Sequence, residues 1–397
     1  MSGPTLDQMH WNQLRKQFLL EEKVTNFQDV AKYQLGLHST DYWTPYLSTW
    51  TRIGDFDAKD MFESLDNGRD LVRTHAFRTT VHVMHIENLS TIISATGPSL
   101  YRAFRMDKYR KVDILSDKEI EKMLVSVKDA LREGPLTTSE LKKEVSDVGE
   151  YVRSALIMLM ARGEVVRAKA PHARSNLTSY ALLEQWVEGF RLVTIEEEKA
   201  QTDLIRMHIE RFGPVAIDDI AWWLRLSKTA VKDAIARLEE HLIKVDIESG
   251  EGYMDRSDFE VASSLERPSE DLVWFIPYED HFLKALFDRS RFIDGEIQPM
   301  LFPSYRTHFW PSSPDAPKVE PSKGLRATGE VRPSIWLNGT VVGRWEIDDE
   351  ENQKKIVTSV YKKASKKQLS HIEQVRCELE EFVNKRLVPI SGGKTIY

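Results

Sequence analysis

Two similar stretches decide the fold of this chain: REGPLTTSEL at residues 132–141 and RFGPVAIDDI at residues 211–220. Their Gly-Pro pairs are offset by 79 positions (213 − 134). The same offset joins four further apolar pairs: Val152 and Val231, Ala155 and Ala234, Leu159 and Leu238, Val166 and Val245. A single offset that holds without a gap over this distance indicates a duplicated structural unit.

Both copies predict the same order of elements. A helix (about 117–133 and about 197–212) ends at Gly134 or Gly213, because glycine tolerates a left-handed backbone and the following proline cannot continue the helix. A short helix follows, with four candidate caps: Thr137 or Thr138, and Asp218 or Asp219. A third helix with an apolar stripe and two short strands complete each copy. This order is typical of a winged helix-turn-helix, which places its third helix in a DNA major groove but also serves as a protein–protein module.

The N-terminal region predicts helices at about 7–22, 26–37 and 44–53, the last capped by Thr44 and followed by Pro45. In the segment RDLVRTHAFRTTVHVMH (69–85), apolar and polar residues alternate, which predicts a strand or a hairpin.

Beyond the repeat lie a Pro- and Ser-rich loop (303–323), a hairpin turn at Asn338-Gly339, a helix at 366–386 and a disordered tail after Pro389. The expected fold is α+β, with four domains: 1–115, 116–193, 194–265 and 266–397.

The amino-acid composition limits the classes of protein to which this chain can belong. The 397 residues are 41% hydrophobic and 29% charged, with a net charge of −7, as in ordinary globular proteins. Cys377 is the single cysteine, which excludes an internal disulfide and a cysteine-rich zinc site. No apolar run matches a signal peptide or a membrane span, so we expect a cytoplasmic protein, or a nuclear one in a host with a nucleus. Acidic and basic runs are segregated, which fits either a basic concave face or solvated helix surfaces. The acidic runs are 196–198, 266–271 and 347–352, and the basic ones are 101–111 and 354–367.

Four stretches, in this order, resemble the AlkZ/YcaQ-like winged-helix DNA glycosylase family: LGLHSTDYWTPYLSTWTR (35–52), LVRTHAFRTTVHVM (71–84), IPYEDHFLKALFDRS (276–290) and RPSIWLNGTVVGRW (332–345). The resemblance implies three tandem winged-helix units and a C-terminal β-barrel-like domain around a concave DNA-binding face. It also implies removal of N7-alkylated purines from double-stranded DNA by a monomer that uses no metal or organic cofactor. The family's catalytic pair is Gln-x-Gln, His-x-Gln or Gln-x-Asp, and the matching positions here are His38 and Thr40.

The pair His38 and Thr40 suits this chemistry only in part. An N7-alkylated purine is a cation and leaves as a neutral base, so the enzyme must support an oxocarbenium-like sugar and orient a water. A neutral imidazole can accept the proton of that water. Threonine departs from the family pattern, because a short hydroxyl replaces an amide or a carboxylate. Alternatively, His38 lies at a helix end and interacts with its dipole, and Thr40 caps the next helix.

The remaining site residues are predicted DNA contacts. Arg78, Thr80 and His82 fall on one face of a strand, where a guanidinium and an imidazole fit a phosphate or a flipped sugar. Arg289, Ser290 and Arg332 lie in the matching C-terminal stretches and either contact phosphate or brace the barrel through an internal ion pair. A zinc site at His75, His82 and His85 is not expected, since His82 faces away from the other two. Trp222 and Trp223 are predicted to pack in the core.

Two other classes of function stay open at this point. A transcription regulator would read a preferred duplex sequence through its winged helices and usually form a symmetric dimer. A scaffold would use the same units to bind proteins, and the mixed charges of residues 231–242 are compatible with that.

Overall fold

The computed structural model of the protein describes residues 3–20, 24–68, 70–106, 108, 112–175, 177–301, 331–350 and 353–392. The Pro- and Ser-rich loop at 303–323 lies outside the described residues, as do residues 393–397 of the predicted tail. Within the described ranges, no helix is long and apolar enough to cross a lipid bilayer. Helices and strands are both abundant, which confirms a mixed α and β architecture.

The predicted helices of the N-terminal region are present but shorter than expected. The described helices here are α1 (Leu6–Lys16), α2 (Phe27–Tyr33), α3 (Thr44–Trp50), α4 (Ala58–Asn67) and α5 (Ile86–Arg105). The prediction that Thr44 caps α3 is wrong: Trp43 is the N-cap, and Asp41 Oδ1 accepts hydrogen bonds from the backbone amides of Trp43 and Thr44. Thr44 instead donates its hydroxyl to the carbonyl of Tyr278 at 2.9 Å. Neither α4 nor α5 was predicted.

The segment 69–85 was predicted to be a strand or a hairpin, and it forms a hairpin. Strands β2 (Leu71–His75) and β3 (Val81–His85) pair antiparallel, and β1 (Leu37–His38) pairs with the other edge of β3. The turn between β2 and β3 is a 3₁₀ segment (Phe77–Thr79), with left-handed backbone at Arg78 (φ 53°) and Thr79 (φ 64°). The prediction that Arg78, Thr80 and His82 share one strand face is therefore wrong, because the turn reorients the chain after Arg78.

Both repeats contain the predicted order of elements. The first has α6 (Asp117–Ala130), α7 (Thr138–Glu144), α8 (Val152–Ala161), β5 (Val165–Arg167) and β6 (Ser179–Leu182), with a short β4 (Leu136–Thr137) before α7. The second has α10 (Glu197–Phe212), α11 (Ile217–Leu224), α12 (Lys228–Arg237), β7 (Leu242–Ile247) and β8 (Gly250–Asp255). Three of the paired apolar positions are buried in both copies: Val152 and Val231, Ala155 and Ala234, Leu159 and Leu238.

The ends and caps of the repeated helices differ between copies. Gly134 has the expected positive φ (138°). Gly213 is extended at φ −63°, so the prediction of a left-handed helix end at Gly213 is wrong. Thr137 caps α7 in a capping box with Glu140. In α11 the cap is Ala216, and Asp219 accepts its backbone amide at 2.9 Å.

The two copies also differ in how their strands pair. In the first copy, β5 and β6 extend the N-terminal sheet, whose order is β1-β3-β2-β5-β6-β4. Strands β7 and β8 form a separate two-stranded sheet. One continuous sheet thus crosses residue 115, and the division into winged-helix domains stays a prediction.

Helix α5 was missed because its sequence contains Gly97 and Pro98, which disfavour a helix interior. It forms because it packs against α8 and α10 and buries Leu89, Ile92 and Leu100. A Cβ atom at Gly97 would overlap the carbonyl oxygen of Ala161, so the glycine permits close approach of α5 and α8. Tertiary packing outweighs local propensity here.

The C-terminal region is built on an antiparallel sheet of order β12-β11-β10-β9, formed by β9 (Val273–Ile276), β10 (Ser334–Leu337), β11 (Thr340–Glu350) and β12 (Gln353–Val360). Its edge strands do not pair with each other, so the sheet is an open half-barrel. Asn338 (φ 51°) and Gly339 (φ 84°) form the predicted two-residue turn between β10 and β11. The predicted final helix is α16 (Lys366–Phe382), continued by a π-helical turn (Val383–Leu387).

Short helices complete the described chain: α9 (Leu183–Trp186), α13 (Arg256–Ser264), α14 (His281–Lys284) and α15 (Gln298–Leu301). One buried cluster joins α3 and α4 to β9, β10 and α16. The N-terminal region therefore packs directly on the C-terminal sheet, and β1 comes to lie beside the turn that follows β9.

Candidate active site

His38 lies in the interior of the protein, on the short strand β1. After α2 the chain turns through Leu35 (φ 57°) and Gly36 (φ 108°), and the Gly36 amide donates to the carbonyl of Ala31 at 2.8 Å. This left-handed turn leads into β1, where His38 pairs with His82 of β3. His38 is 3% exposed, so it is a sheet residue inside the fold, and the alternative that it sits at a helix end is wrong.

Three histidines and two larger aromatic rings form a buried cluster. The ring of His82 lies 5.6 Å from that of His38, 5.0 Å from that of His281 and 5.5 Å from that of Phe77. Trp223 lies 4.7 Å from His281. The cluster joins β1, the hairpin of β2 and β3, α11 and α14, which lie far apart in the sequence.

The cluster presents nitrogen atoms that have no hydrogen-bond partner among the described residues. They are both ring nitrogens of His38, Nε2 of His82, Nε2 of His281 and Nε1 of Trp223. Nδ1 of His82 lies 3.1 Å from the carbonyl of Thr80, and Nδ1 of His281 lies 3.0 Å from that of Gln34. Because a carbonyl only accepts, Nδ1 carries the proton in both neutral rings, and Nε2 is left as an acceptor.

A buried carboxylate stands beside His38. Glu279 Oε2 lies 3.6 Å from His38 Nε2 and forms an ion pair with Nζ of Lys284. Glu279 Oε1 accepts the backbone amide of Val331 at 2.7 Å. Glu279 also adopts a left-handed backbone (φ 57°), an uncommon conformation that costs energy for a residue with a side chain.

Burial and positive charge keep these imidazoles neutral. Burial lowers the pKa of His38 well below its ordinary value of 6.5, and Lys284, His82 and His281 lower it further. Burial also lowers the pKa of His82 well below 6.5 and that of His281 to about 4. At neutral pH the ring of His38 is therefore a hydrogen-bonding group without charge.

A bidentate ion pair fixes the turn after β9 against α3. Arg52 donates to both carboxylate oxygens of Asp280 at 2.7 and 2.8 Å, and Ser48 Oγ donates to the same carboxylate at 2.7 Å. Burial raises the pKa of Asp280, but the charge of Arg52 and these hydrogen bonds outweigh it, so the net pKa is lowered. This contact places Glu279, the neighbour of Asp280, next to His38.

Comparison with known proteins identifies the family. The family described as DNA glycosylase AlkZ-like matches residues 34–382. This chain belongs to that family. A curated relative, the interstrand DNA cross-link repair glycosylase of Streptomyces sahachiroi, is 24% identical over 353 residues, which cover 85% of this chain and 86% of the relative. The solved structure of Streptomyces sahachiroi DNA glycosylase AlkZ matches with a TM-score of 0.74 and 16% identity, over 95% of this chain and 98% of that chain. At that identity the structural match shows the fold alone.

In this AlkZ-like glycosylase, Thr40 does not accompany His38 into the interior. Thr40 is exposed, and its Oγ1 accepts the backbone amide of Val81 at 3.3 Å. It does not cap the next helix either, because Trp43 is the N-cap of α3 and the amides of Trp43 and Thr44 donate to Asp41. The catalytic roles of His38 and Thr40 stay predictions, but the two side chains occupy different environments.

The structure brings only one of the three predicted hairpin contacts into the cluster. His82 is fully buried. Arg78 is half-buried, donates to the carbonyl of Trp222 at 2.9 Å and stacks 3.5 Å above its ring, whereas Trp223 is a core residue. Thr80 is half-buried, and its hydroxyl donates to the carbonyl of Phe77 at 2.9 Å.

The predicted C-terminal contacts also differ in accessibility. Arg289 is 1% exposed and donates Nε to the carbonyl of Leu283 at 2.8 Å. Ser290 is exposed and Arg332 is half-buried. Ser290 and Arg332 are therefore accessible to solvent, whereas Arg289 is enclosed.

Glu279, His281 and Lys284 were not predicted from the sequence as site residues. All three lie in the quoted stretch IPYEDHFLKALFDRS, from which only Arg289 and Ser290 were predicted as site residues. The signal was a run of ionisable residues directly after an apolar strand. What the sequence lacked was any indication that this run contacts His38.

Proposed function

We propose that this AlkZ-like DNA glycosylase hydrolyses the N-glycosidic bond of N7-alkylated purines in double-stranded DNA, with His38 accepting a proton from the attacking water. Family membership supports the glycosylase activity. The observation that carries the assignment of His38 is its environment. It is a neutral imidazole inside the buried cluster, with the carboxylate of Glu279 beside it, and neither of its nitrogens has a hydrogen-bond partner among the described residues.

The chemistry matches what the cluster offers. A cationic purine needs no strong acid to leave, so the protein must orient a water and tolerate positive charge on the sugar. A neutral imidazole is a suitable acceptor, and the negative charge of Glu279 favours a cationic sugar nearby. Because the nitrogens of His38 are shielded from solvent, a flipped nucleotide reaches them only when neighbouring side chains move.

The predicted DNA-contacting residues differ in their exposure to solvent. In this proposal Arg78, Ser290 and Arg332 contact phosphates, because solvent reaches each of them. His82 and Arg289 are buried and act on the flipped nucleotide. Affinity for duplex DNA should fall with salt concentration, and Arg78→Ala should reduce the slope of that dependence by about one phosphate contact.

The experiment is single-turnover release of 7-methylguanine from methylated duplex DNA. His38→Ala should slow release by about 10²- to 10⁴-fold, the usual contribution of a positioned proton acceptor. His38→Gln, which introduces the residue found at this position in other family patterns, should retain part of the rate. His208→Ala is the matched control, because His208 is also fully buried but stacks on Phe212 of α10.

Each outcome is informative. Equal losses in His38→Ala and His208→Ala would mean that truncation of a buried histidine, and not lost chemistry, slows the enzyme. DNA binding without release would point to a non-catalytic DNA-binding protein or to a bulkier lesion. The name of the curated relative makes a cross-linked duplex the next substrate to test.

A further inference from the structure

Thr40 is poorly placed to be the second acceptor of the site. It is exposed, whereas His38 is 3% exposed, and its hydroxyl oxygen already accepts the amide of Val81. If His38 acts in hydrolysis, the group that controls its proton must come from elsewhere in the fold.

We propose that Glu279 is the positioning residue of His38: its carboxylate accepts a hydrogen bond from Nε2–H, which leaves Nδ1 as the acceptor for the attacking water. This inference rests on the proposed function. The 3.6 Å between Glu279 Oε2 and His38 Nε2 needs to shorten by about 0.6 Å to reach a normal hydrogen bond, and catalytic hydrogen bonds are often long before substrate binds.

The surroundings hold the carboxylate in place for this role. Val331 fixes Oε1 and Lys284 fixes Oε2, and the bidentate pair of Asp280 with Arg52 anchors the adjacent residue. Lys284 also compensates the negative charge inside the protein. The other ionisable groups that act on His38 are His82 and His281, both neutral at pH 7.

The step balances without a cofactor. The water oxygen forms a bond to C1′ of the sugar as the bond from C1′ to the purine nitrogen breaks. The bonding electron pair leaves with the purine and neutralises its positive charge. The water proton passes to Nδ1 of His38, and the resulting imidazolium is stabilised by Glu279 through Nε2–H.

Two readouts test the proposal. In single-turnover base release, Glu279→Gln should lose about 10²- to 10⁴-fold in rate with unchanged affinity for DNA. The amide of glutamine can accept from Nε2–H or donate to an unprotonated Nε2, so it no longer selects the His38 tautomer that leaves Nδ1 free to accept a proton. In ¹⁵N NMR at pH 7.5, the wild type should show His38 protonated at Nε2, and Glu279→Gln should shift it towards Nδ1. The spectrum of His38→Gln assigns the His38 signals.

Control variants separate this role from a structural one. Glu279→Gln leaves Lys284 without its carboxylate, so Glu279→Gln/Lys284→Met provides a folded alternative in which a neutral pair replaces the ion pair. Asp258→Asn/Lys16→Met is the matched control: Lys16 is buried, pairs with Asp258 and also contacts the carbonyls of Ile209 and Gly213. This control should keep the wild-type rate and His38 tautomer.

The outcomes distinguish this inference from the proposed function. Wild-type release with Glu279→Gln, or a larger loss with Thr40→Val than with Glu279→Gln, would overturn the role of Glu279 and leave the glycosylase activity standing. If the wild type releases no base, the proposed function fails and NMR still decides: Nδ1–H in the wild type overturns the proposal, whereas Nε2–H that is lost in Glu279→Gln supports it.

Discussion

Mild acid should destabilise this protein, because four of its histidines are enclosed as neutral side chains. They are His38, His82, His208 and His281. Burial is the largest cause of the lowered pKa in each. It lowers the pKa of His208 to about 3 and that of His281 to about 4, and places those of His38 and His82 well below 6.5.

The direction of the effect follows from proton uptake. In the unfolded chain each imidazole has a pKa of about 6.5 and binds a proton as the pH falls below that value, whereas the folded protein does not. The stabilisation is therefore complete above about pH 6.5 and is lost as the pH falls towards the folded pKa values. Carboxyl groups whose pKa burial raises, such as Asp41 and Asp219, oppose this loss, because they take up protons in the folded protein before they do so in the unfolded chain.

The magnitude can be worked out for the two histidines with the best-defined pKa values. Each unit of pH between the unfolded and folded pKa values costs about 1.4 kcal/mol per proton, so His208 and His281 each remove about 2 kcal/mol by pH 5. Together they remove about 4 kcal/mol, a large part of the usual total of about 5–15 kcal/mol, and His38 and His82 act in the same direction.

Urea denaturation between pH 7.5 and pH 5, followed by tryptophan fluorescence, measures this loss. We expect an uptake of at least about two protons on unfolding at about pH 5.5, from His208 and His281. His208→Leu should remove about one of them and leave the others, since His208 packs against Phe212 in α10. An uptake below about one proton in the wild type would refute the reasoning, because the imidazoles would then be charged or solvated in the folded state.

Three further predictions concern the free energy of unfolding at pH 7.5, measured by urea denaturation. Gly339→Ala should cost about 2 kcal/mol, because Gly339 has φ 84° and a Cβ would lie 2.6 Å from Nε2 of His10; Gly295→Ala, where a Cβ meets nothing within 4 Å, should change little. Asp280→Ala should cost about 3–5 kcal/mol by leaving Arg52 buried without its partner, and Arg52→Met/Asp280→Leu should recover most of that; equal losses would contradict the ion-pair argument. Thr137→Ala should cost about 1 kcal/mol through loss of the α7 cap, whereas Ser139→Ala on the same helix should cost less than about 0.5 kcal/mol.

Local features of the fold were predictable from the sequence. The Asn338-Gly339 turn, the capping box at Thr137 and the buried stripe of the repeated helices depend on residues within a few positions of each other. Where tertiary contacts override local preference, prediction failed. Helix α5 forms despite Gly97 and Pro98, and Arg78 adopts a left-handed turn that interrupts the expected strand.

Some features of the candidate site were likewise predictable from the sequence, and others depend on tertiary contacts. The sequence alone pointed to His38, through a resemblance that covers most of the chain, and the family match bears out that resemblance. It also identified the departure at Thr40. Only the tertiary structure decided that His38 is neutral, that Thr40 lies at the surface and that Glu279 stands beside the ring. The charge of an imidazole depends on its removal from water and on groups within a few ångströms, and those groups come from segments far apart in the chain.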